Sequence, residues 1–321
     1  MQVVGQAELR STTDLLPVRD DVWMLPLPIP HAQPKYTLCY VIADARRGLH
    51  VIDPGLDLPA NRALVERALE ALGGIGRIAT ITATHLHADH VSLAGWLRER
   101  SGAPIGLHRR DADALRRTVD PNIQRRLNAE WAVPRARWPE LAQAHAEAST
   151  SRVIRADLGL ADGDLLAVPG RSLRVLATPG HTAGHISIID EDHGLAFLGD
   201  LVLPRINPGF GLGDPDDGNP LRDLLSSLLR IAEFDDHEAC PGHEHRFTGI
   251  RARSEQIIGH HLKRNSEVAD VDAHRDGATI WEVAQALSWR TPFEQMSGGY
   301  LRSVLLQVSM HIGYLGRRVP S

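Results

Sequence analysis

The sequence predicts an α/β fold with a helical insertion and a small helical domain at its C-terminus. Three observations lead to this prediction. Short apolar segments bounded by Pro and Gly recur up to about residue 200, a segment with helical periodicity stands among them, and only helical patterns follow His243. We therefore assign residues 1–250 to one large domain and residues 251–321 to a helical C-terminal domain. A chain of 321 residues, 43% of them hydrophobic, can bury the core that such a domain needs.

The apolar segments alternate with turns in a way that is typical of strands. The predicted strands are residues 22–25, 37–43, 49–52, 77–83, 173–177, 186–189 and 195–198. A helix is predicted over residues 58–72, because Leu64, Ala68 and Leu72 share one helical face and two glycines end the pattern. Residues 109–150 are rich in Ala, Arg and Glu and predict the helical insertion. Further helices are predicted over residues 254–268, 280–288 and 300–315.

The overall charge and the cysteine content exclude several classes of protein. A formal net charge of -5 and a pI of about 6.4 provide no overall basic field, which disfavours nucleic acid as the main partner. Neither Cys39 nor Cys240 belongs to a CxxC pair, which argues against a disulfide framework and a thiolate zinc site. Residues 1–19 contain no long apolar run, so we expect no signal peptide, no membrane span and a cytoplasmic location.

Histidine is frequent in this chain, with 17 residues. Several of these histidines stand in polar surroundings and are expected to be solvated, namely His50, His108, His193, His260, His261 and His274. A different pattern occurs in the segment Thr84-His85-Leu86-His87-Ala88-Asp89-His90, which follows a predicted strand directly. In a strand-to-helix turn, His85 and His87 can converge on one metal ion, whereas Asp89 and His90 can face a second. Imidazole and carboxylate ligands suit Zn²⁺ and leave a position open for catalysis.

Three later turns each place one more potential ligand after an apolar strand. His181 follows Pro179-Gly180, Asp200 follows Gly199, and His243 follows Pro241-Gly242. A tight Pro-Gly turn projects the next side chain away from the strand end. An aspartate such as Asp200 can bridge two metals, because each of its two oxygens can bind one ion.

The motifs HLHADH, TPGHTAGH, GD and PGH, in this order, resemble those of the metallo-β-lactamase superfamily over about residues 22–243. The resemblance implies a four-layer αββα sandwich, with two mixed sheets between outer helices and the metals at one edge. It also implies that His85, His87 and His181 bind the first metal, that Asp89, His90 and His243 bind the second, and that Asp200 bridges them. Two zinc ions per chain are expected, with iron or manganese as alternatives. Asp53 is expected to support the site from behind. His185 and His245 are close in sequence to the expected ligands and are expected either to orient ligands or to be structural histidines with satisfied hydrogen bonds.

Such a site implies an enzyme in which a water activated by two metals attacks an electrophilic carbonyl or phosphorus. Asp89 is assigned a catalytic role in orienting that water or transferring a proton. The stretch TPGHTAGHIS is similar to glyoxalase II thioesterases and acyl-homoserine lactonases, so hydrolysis of a small thioester, lactone or related ester is expected. An RNA or phosphoester hydrolase and a non-heme iron oxidoreductase on the same scaffold remain alternatives, because the fold alone does not define the substrate.

The C-terminal helices are similar to the winged-helix-like tail of a β-lactamase-like subgroup that includes endoribonucleases. An interpretation without nucleic acid is favoured, in which these helices cover the edge of the active site or form a homodimer. A small molecule is therefore the expected substrate, no membrane partner is expected, and nucleic acid is not favoured.

Overall fold

Two mixed β-sheets pack face to face in the structure, a computed structural model that describes residues 2–4, 15–30, 34–117, 120, 122–148, 154–212, 218–275 and 277–316. The seven-stranded sheet has the order β2-β3-β4-β5-β6-β7-β8. Its strands are β2 (Leu16–Arg19), β3 (Val22–Pro28), β4 (Tyr36–Ala43), β5 (Leu49–Ile52), β6 (Ile78–Thr82), β7 (Ile105–His108) and β8 (Leu158–Leu160). Strands β5 to β8 are parallel, and the earlier pairs are antiparallel.

The six-stranded sheet has the order β1-β13-β12-β11-β10-β9. Its strands are β1 (Gln2–Val4), β9 (Leu173–Ala177), β10 (Ile186–Asp190), β11 (Leu195–Gly199), β12 (Glu238–Pro241) and β13 (Arg246–Thr248). Only β11 and β12 pair in parallel. Because β9 and β11 both run antiparallel to β10, the strands β9, β11 and β12 share one direction. Their C-terminal ends therefore meet at one edge of the sheet.

Ten α-helices are present in the described part of the chain. They are α1 (Pro59–Glu70), α2 (Ala88–Val91), α3 (Ala94–Ser101), α4 (Arg109–Arg116), α5 (Ile123–Glu130), α6 (Trp138–Ala148), α7 (Pro220–Ile231), α8 (Ile250–His274), α9 (Ile280–Ala286) and α10 (Gly298–Tyr314). All of the predicted strands and helices are present. Sequence patterns did not reveal β1, β2, β7, β8, β13, α3 or α7, and they indicated β12 only as a strand end before His243.

The hydrophobic core has a layered arrangement. Between the sheets, side chains from both inner faces interlock, and the Tyr40 ring meets the Phe197 ring edge-on at a centroid distance of 5.1 Å. Helices α1 and α3 bury Leu69 and Leu97 against the outer face of the seven-stranded sheet. Helix α7 buries Leu224 against the outer face of the six-stranded sheet, together with the first turns of α8. The predicted four-layer αββα sandwich is therefore confirmed.

The helical insertion and the C-terminal helices share one hydrophobic cluster. Trp131 and Leu141 from the insertion pack with Ile280 of α9 and Leu305 of α10, and the Trp281 N–H donates to the Trp131 carbonyl (3.1 Å). Helix α8, which begins at the predicted boundary near residue 250, contacts both this cluster and the six-stranded sheet. No strand follows β13 among the described residues, so any likeness of this region to a winged helix rests on its helices.

Two of the histidines that were predicted to be solvated are buried. The prediction was wrong for His50 and His261, each of which is 3% exposed. The His50 imidazole lies between Thr80 Oγ1 (2.7 Å) and Asp44 Oδ2 (3.1 Å). Asp44 precedes His50 by six residues, whereas Thr80 faces His50 from the neighbouring strand β6, so the second partner comes from a distant part of the sequence. None of the helices in the described ranges is both long and apolar enough to cross a membrane.

Burial of His261 and His311 predicts that acid destabilises the packing of α8 against α10. Burial lowers the pKa of His261 to about 3 and that of His311 to about 4, whereas an unfolded histidine titrates near pH 6.5. Above pH 6.5 both rings are neutral in either state. As the pH falls below 6.5, only the unfolded chain takes up protons, so stability is lost at about 2 kcal/mol per histidine by pH 5.

This pH dependence can be measured as the melting temperature Tm of the metal-free protein between pH 7.5 and pH 5. The His261→Gln and His311→Gln variants are expected to lose less stability on acidification than the wild type. The His274→Gln variant is the control, because His274 is exposed on the same long helix. An equal drop in Tm for the wild type and both buried-site variants would contradict the prediction.

Candidate metal centre

All seven predicted ligand residues lie just beyond the C-terminal ends of four strands. Strand β6 leads to residues 84–90, β9 to His181, β11 to Asp200 and β12 to His243. Backbone hydrogen bonds join the two sheets at this edge, from Ile186 N–H to Thr84 O (2.9 Å) and from Leu38 N–H to Gly242 O (2.8 Å). The seven side chains are thereby brought together, although they are distant in the sequence.

His85, His87 and His181 form the first group of side chains. The Nδ1 atom of His87 lies 2.9 Å from His85 Nε2 and 3.0 Å from His181 Nε2. The three rings stand nearly perpendicular to one another. One nitrogen from each ring therefore points at a common position, as expected for three imidazoles that could hold one metal ion.

Asp89, His90 and His243 form the second group. The Nε2 atoms of His90 and His243 are 3.2 Å apart. Asp89 Oδ2 lies 3.5 Å from His243 Nε2 and 3.8 Å from His90 Nε2. These three atoms also converge in a manner that could hold a metal ion.

Asp200 lies between the two groups. Its Oδ2 atom is 3.6 Å from His181 Nε2 and 3.3 Å from His243 Nε2, and its Oδ1 atom is 3.5 Å from His90 Nε2. The Oδ1 atom is buried and has no hydrogen-bond partner among the described residues. A buried carboxylate oxygen without a partner is costly. A cation between the two groups would provide the missing partner of Oδ1. This oxygen therefore supports the fit of the site to a pair of metal ions.

Each of the five converging imidazoles uses its other nitrogen for a hydrogen bond away from the centre. The five pairs are His85 Nδ1 with Thr84 Oγ1 (3.0 Å), His87 Nε2 with Leu212 O (2.9 Å), His90 Nδ1 with Asp53 Oδ2 (2.9 Å), His181 Nδ1 with Gly209 O (2.7 Å) and His243 Nδ1 with Tyr36 O (2.7 Å). Carbonyl and carboxylate oxygens only accept, and the Thr84 hydroxyl already donates to Asp53, so the ring donates in all five pairs. In a neutral ring this leaves the inward nitrogen free for a metal.

The sequence identifies the family to which this arrangement belongs. A profile of the Metallo-beta-lactamase superfamily matches residues 32–243, a range that includes all seven converging residues. The chain belongs to the metallo-β-lactamase superfamily.

Relatives within the superfamily match the greater part of the chain. The chain is 30% identical over 216 residues to a hydroxyacylglutathione hydrolase from Cereibacter sphaeroides, a match that covers 67% of this chain and 64% of that protein. It is 28% identical over 292 residues to a beta-lactamase hydrolase-like protein from Xylella fastidiosa, which covers 88% of this chain and 58% of the relative. The chain therefore spans less than two thirds of the length of these two relatives.

Solved structures of the superfamily share the fold over nearly the whole chain. A metallo-beta-lactamase family protein from Thermus thermophilus is 29% identical, with a TM-score of 0.75 and coverage of 93% of this chain and 94% of that chain. A beta-lactamase domain protein from Burkholderia ambifaria is 22% identical, with a TM-score of 0.83 and coverage of 98% and 92%. The second match concerns the fold alone. Both cover the helical C-terminal region as well as the sandwich.

Burial lowers the pKa values of the three histidines in the first group. These are His85, His87 and His181, and the pKa of His87 falls to about 4. Desolvation favours the neutral form of an imidazole. These three rings are therefore neutral at pH 7, which is the form that binds a metal ion.

Carboxylates dominate the electrostatics of the second group. Burial lowers the pKa of His90, but the charges of Asp200, Asp53 and Asp89 outweigh it and raise the pKa to about 10. The pKa of His243 is raised against its burial by Asp200. Burial opposes ionisation of Asp200, yet His243 and His90 hold the pKa of its carboxyl well below the usual range. The carboxylates thus favour positive charge at the second group, which is the charge that a metal ion would supply.

Asp53 and His185 lie where supporting residues were predicted. Asp53, in a left-handed conformation (φ 51°), accepts hydrogen bonds from Thr84 N–H (2.7 Å) and Thr84 O–H (2.9 Å) as well as from His90. His185 Nε2 accepts from Asp200 N–H (3.1 Å), and its Nδ1 bonds Thr178 Oγ1 (2.9 Å). His245 makes no hydrogen bond to the seven converging residues within the part of the chain that is described.

The sequence did not reveal that the loop after Asp200 orients two of the converging histidines. The carbonyls of Gly209 and Leu212 accept from His181 and His87, and Phe210 between them is completely buried. Every residue carries a carbonyl, so no sequence signal marks these partners. Arg253 of α8 holds the start of this loop by donating to Leu203 O (2.7 Å) and Ile206 O (2.9 Å). A C-terminal helix therefore supports the candidate metal centre.

Replacing Arg253 with methionine is expected to weaken zinc binding by up to about 10-fold. Loss of a direct partner of a ligand costs about 10- to 100-fold in affinity, and Arg253 acts on the partners Gly209 and Leu212 only through the loop that carries them. The methionine keeps much of the apolar stem but removes the donors to the loop. Zinc affinity is measured by competition with a chromophoric chelator. Arg251→Met is the control, because Arg251 lies on the same helix with an exposed side chain. Equal zinc affinities for Arg253→Met and Arg251→Met would refute a role for Arg253 in zinc binding.

Proposed function

We propose that this protein is a zinc-dependent hydrolase of a small thioester or related ester, such as a lactone. His85, His87 and His181 would hold one ion, and Asp89, His90 and His243 would hold the other. Asp200 would bridge the two ions. The observation that carries this proposal is the set of five imidazoles that are each bonded outward and each direct one nitrogen inward.

The donor atoms support zinc as the resident metal. Nitrogen and carboxylate oxygen donors in sets of three suit Zn²⁺, and a site with three protein ligands leaves a position for water or substrate. The second group of donors is complete, which favours a dinuclear hydrolase over a mononuclear iron oxidoreductase. Iron or manganese in the purified protein would show that the resident metal is not zinc.

The relatives support a carbonyl substrate. The Cereibacter sphaeroides relative is named a hydroxyacylglutathione hydrolase, and an acyl group carried on glutathione is a thioester. A carboxylate at Asp200, where a cysteine-using β-lactamase would place Cys, disfavours that antibiotic-degrading class. We therefore propose that this chain also acts on a thioester or related ester.

A pair of divalent ions in this site would act as Lewis acids that lower the pKa of water and polarise a substrate oxygen. The chain's own residues supply positioning and proton handling. The Asp89 side chain is 28% exposed, whereas those of His90 and His243 are 0% and 3% exposed. Asp89 is therefore more accessible to solvent than the two histidines of its group. We assign it the transfer of a proton from the attacking water to the leaving group.

The test is metal analysis by plasma emission on the purified protein, combined with a substrate screen with and without chelator. The screen contains an acylglutathione thioester, a lactone, a β-lactam and a phosphodiester. About two zinc ions per chain and chelator-sensitive thioester or lactone cleavage are expected. Preferential phosphodiester cleavage, or a single iron with oxygen uptake, would overturn the proposal in favour of a phosphoester hydrolase or an oxidoreductase.

A further inference from the structure

A buried carboxylate connects the helical insertion to the metal centre. Asp111 stands in the first turn of α4, where the insertion begins, and is 1% exposed. It is not one of the seven converging residues and lies outside the motifs that identify the superfamily. No ion pair involving Asp111 is found among the described residues. Its three partners are instead donors on the two loops that carry the first group of histidines.

The carboxylate of Asp111 uses both of its oxygens. Oδ2 accepts from Leu86 N–H (2.9 Å) and from Thr182 O–H (2.8 Å), and Oδ1 accepts from Gly184 N–H (2.7 Å). Hydrogen bonds to a carboxylate are stronger than those between neutral groups. One side chain therefore joins three points on two separate loops.

These three points flank the first group of ligands. Leu86 lies between His85 and His87, and Thr182 follows His181 directly. The loop with His85 and His87 leaves the seven-stranded sheet, whereas the loop with His181 leaves the six-stranded sheet. Asp111 therefore fixes one loop relative to the other across the gap between the sheets.

Asp111 is packed closely against Gly184. A Cβ atom added at Gly184 would lie 2.5 Å from both the backbone nitrogen and the Oδ1 atom of Asp111. Burial also raises the pKa of Asp111 to about 6, so its ionised form is costly in this position. An apolar side chain would avoid that cost but would leave the three donors without a partner.

We propose that Asp111 is a positioning residue that sets the spacing of His85 and His87 relative to His181, and thereby the affinity of this three-histidine site for a divalent cation. This inference rests on the metal-binding role proposed above for the three histidines. Asp111 itself touches neither a metal ligand nor a reacting atom. It acts through the backbone of Leu86 and Gly184 and the hydroxyl of Thr182.

The test is titration of metal-free protein with Co²⁺ and Zn²⁺ in competition with a chromophoric chelator. Asp111→Asn places an amide N–H₂ against at least one of the three donors, and it is expected to weaken binding of the first ion by about 10- to 100-fold. The visible absorption bands of bound Co²⁺ are expected to change in this variant, because they report ligand geometry. Thr182→Val removes one of the three bonds and is expected to have a smaller effect in the same direction.

Two control variants separate positioning from general stability. Asp113→Asn makes the same chemical change on the same helix, but the Asp113 side chain is 59% exposed, so wild-type affinity and spectrum are expected. Val283→Ala shortens a fully buried side chain in the cluster shared by the insertion and the C-terminal helices. This variant is expected to lower Tm without changing metal affinity.

Wild-type affinity and an unchanged Co²⁺ spectrum in both Asp111→Asn and Thr182→Val would overturn the inference while leaving the proposed function intact. Equal loss of affinity in Val283→Ala and Asp111→Asn would also overturn it, because the effect would then follow stability alone. Failure of the wild-type protein to bind a divalent ion would overturn the inference and the proposed function together.

Discussion

Replacing Asp200 with asparagine is expected to lower kcat/KM for the proposed ester substrate by more than about 100-fold. Loss of a residue that only hydrogen-bonds to a metal ligand costs about 10- to 100-fold, and Asp200 is proposed to bind the metals directly. The carboxylate lies within 3.3–3.6 Å of nitrogens from His90, His181 and His243, so its charge acts on both groups of converging side chains. An amide keeps the shape but removes the negative charge that would bridge two cations. Metal content is expected to fall below two ions per chain.

The control for this experiment is Asp190→Asn. Asp190 is also a fully buried carboxylate, and it pairs with Arg171 at 2.8 Å on β10, outside the candidate metal centre. Its replacement is expected to lower Tm, because breaking a buried pair leaves an uncompensated charge, but to leave the metal content unchanged. Full activity and two ions per chain in Asp200→Asn would show that the central position of this residue has no role in metal binding.

A methyl group at Gly242 is expected to lower kcat/KM by about 100-fold, the effect of displacing catalytic groups by about 1 Å. A Cβ atom there would lie 2.6 Å from Asp200 Oδ1 and 2.6 Å from His90 Cε1. Both neighbours are buried and both contacts are too short, so both side chains must move. Gly242→Ala therefore disturbs two converging side chains at once without removing either of them.

Gly259→Ala is the matched control, because a Cβ atom at Gly259 meets nothing within 4 Å. Gly259 lies within α8, where alanine is favoured over glycine by about 1 kcal/mol. The control is expected to raise Tm slightly and to retain activity and metal content. Both variants are assayed for kcat/KM and for zinc by plasma emission. Wild-type values for Gly242→Ala would mean that the two buried side chains tolerate the displacement.

Local patterns in the sequence predicted most of the central strands and the position of each converging residue, and the resemblance to the metallo-β-lactamase superfamily implied the sandwich. Strands β5 and β9 were predicted with their observed bounds, because each is a short apolar run between turn residues. Edge strands such as β2 and β8 were missed, since only half of their side chains or fewer are buried. A short edge strand has too few apolar positions to establish a period.

Buried polar groups were the least predictable part of the molecule. The sequence around His261 is polar, yet its ring packs edge-on against Phe210 (5.1 Å between ring centroids). The Asp111 segment has the composition of a solvated helix, yet its carboxylate is buried against two loops. In both cases the burying surface comes from a distant part of the chain, which a sequence window does not contain.

The sequence by itself determined the superfamily, the layered fold and the residues that converge at the sheet edge. It could do so because His85, His87, Asp89 and His90 form a compact motif whose chemistry is carried by side-chain type. Only the tertiary structure decided how the converging histidines and their loops are held. The carbonyls of Gly209 and Leu212 accept from two of the rings, and Asp111 and Arg253 bond to the backbone of the loops. The physical reason is that a hydrogen-bond partner is selected by position in space, and backbone carbonyls are the same at every residue.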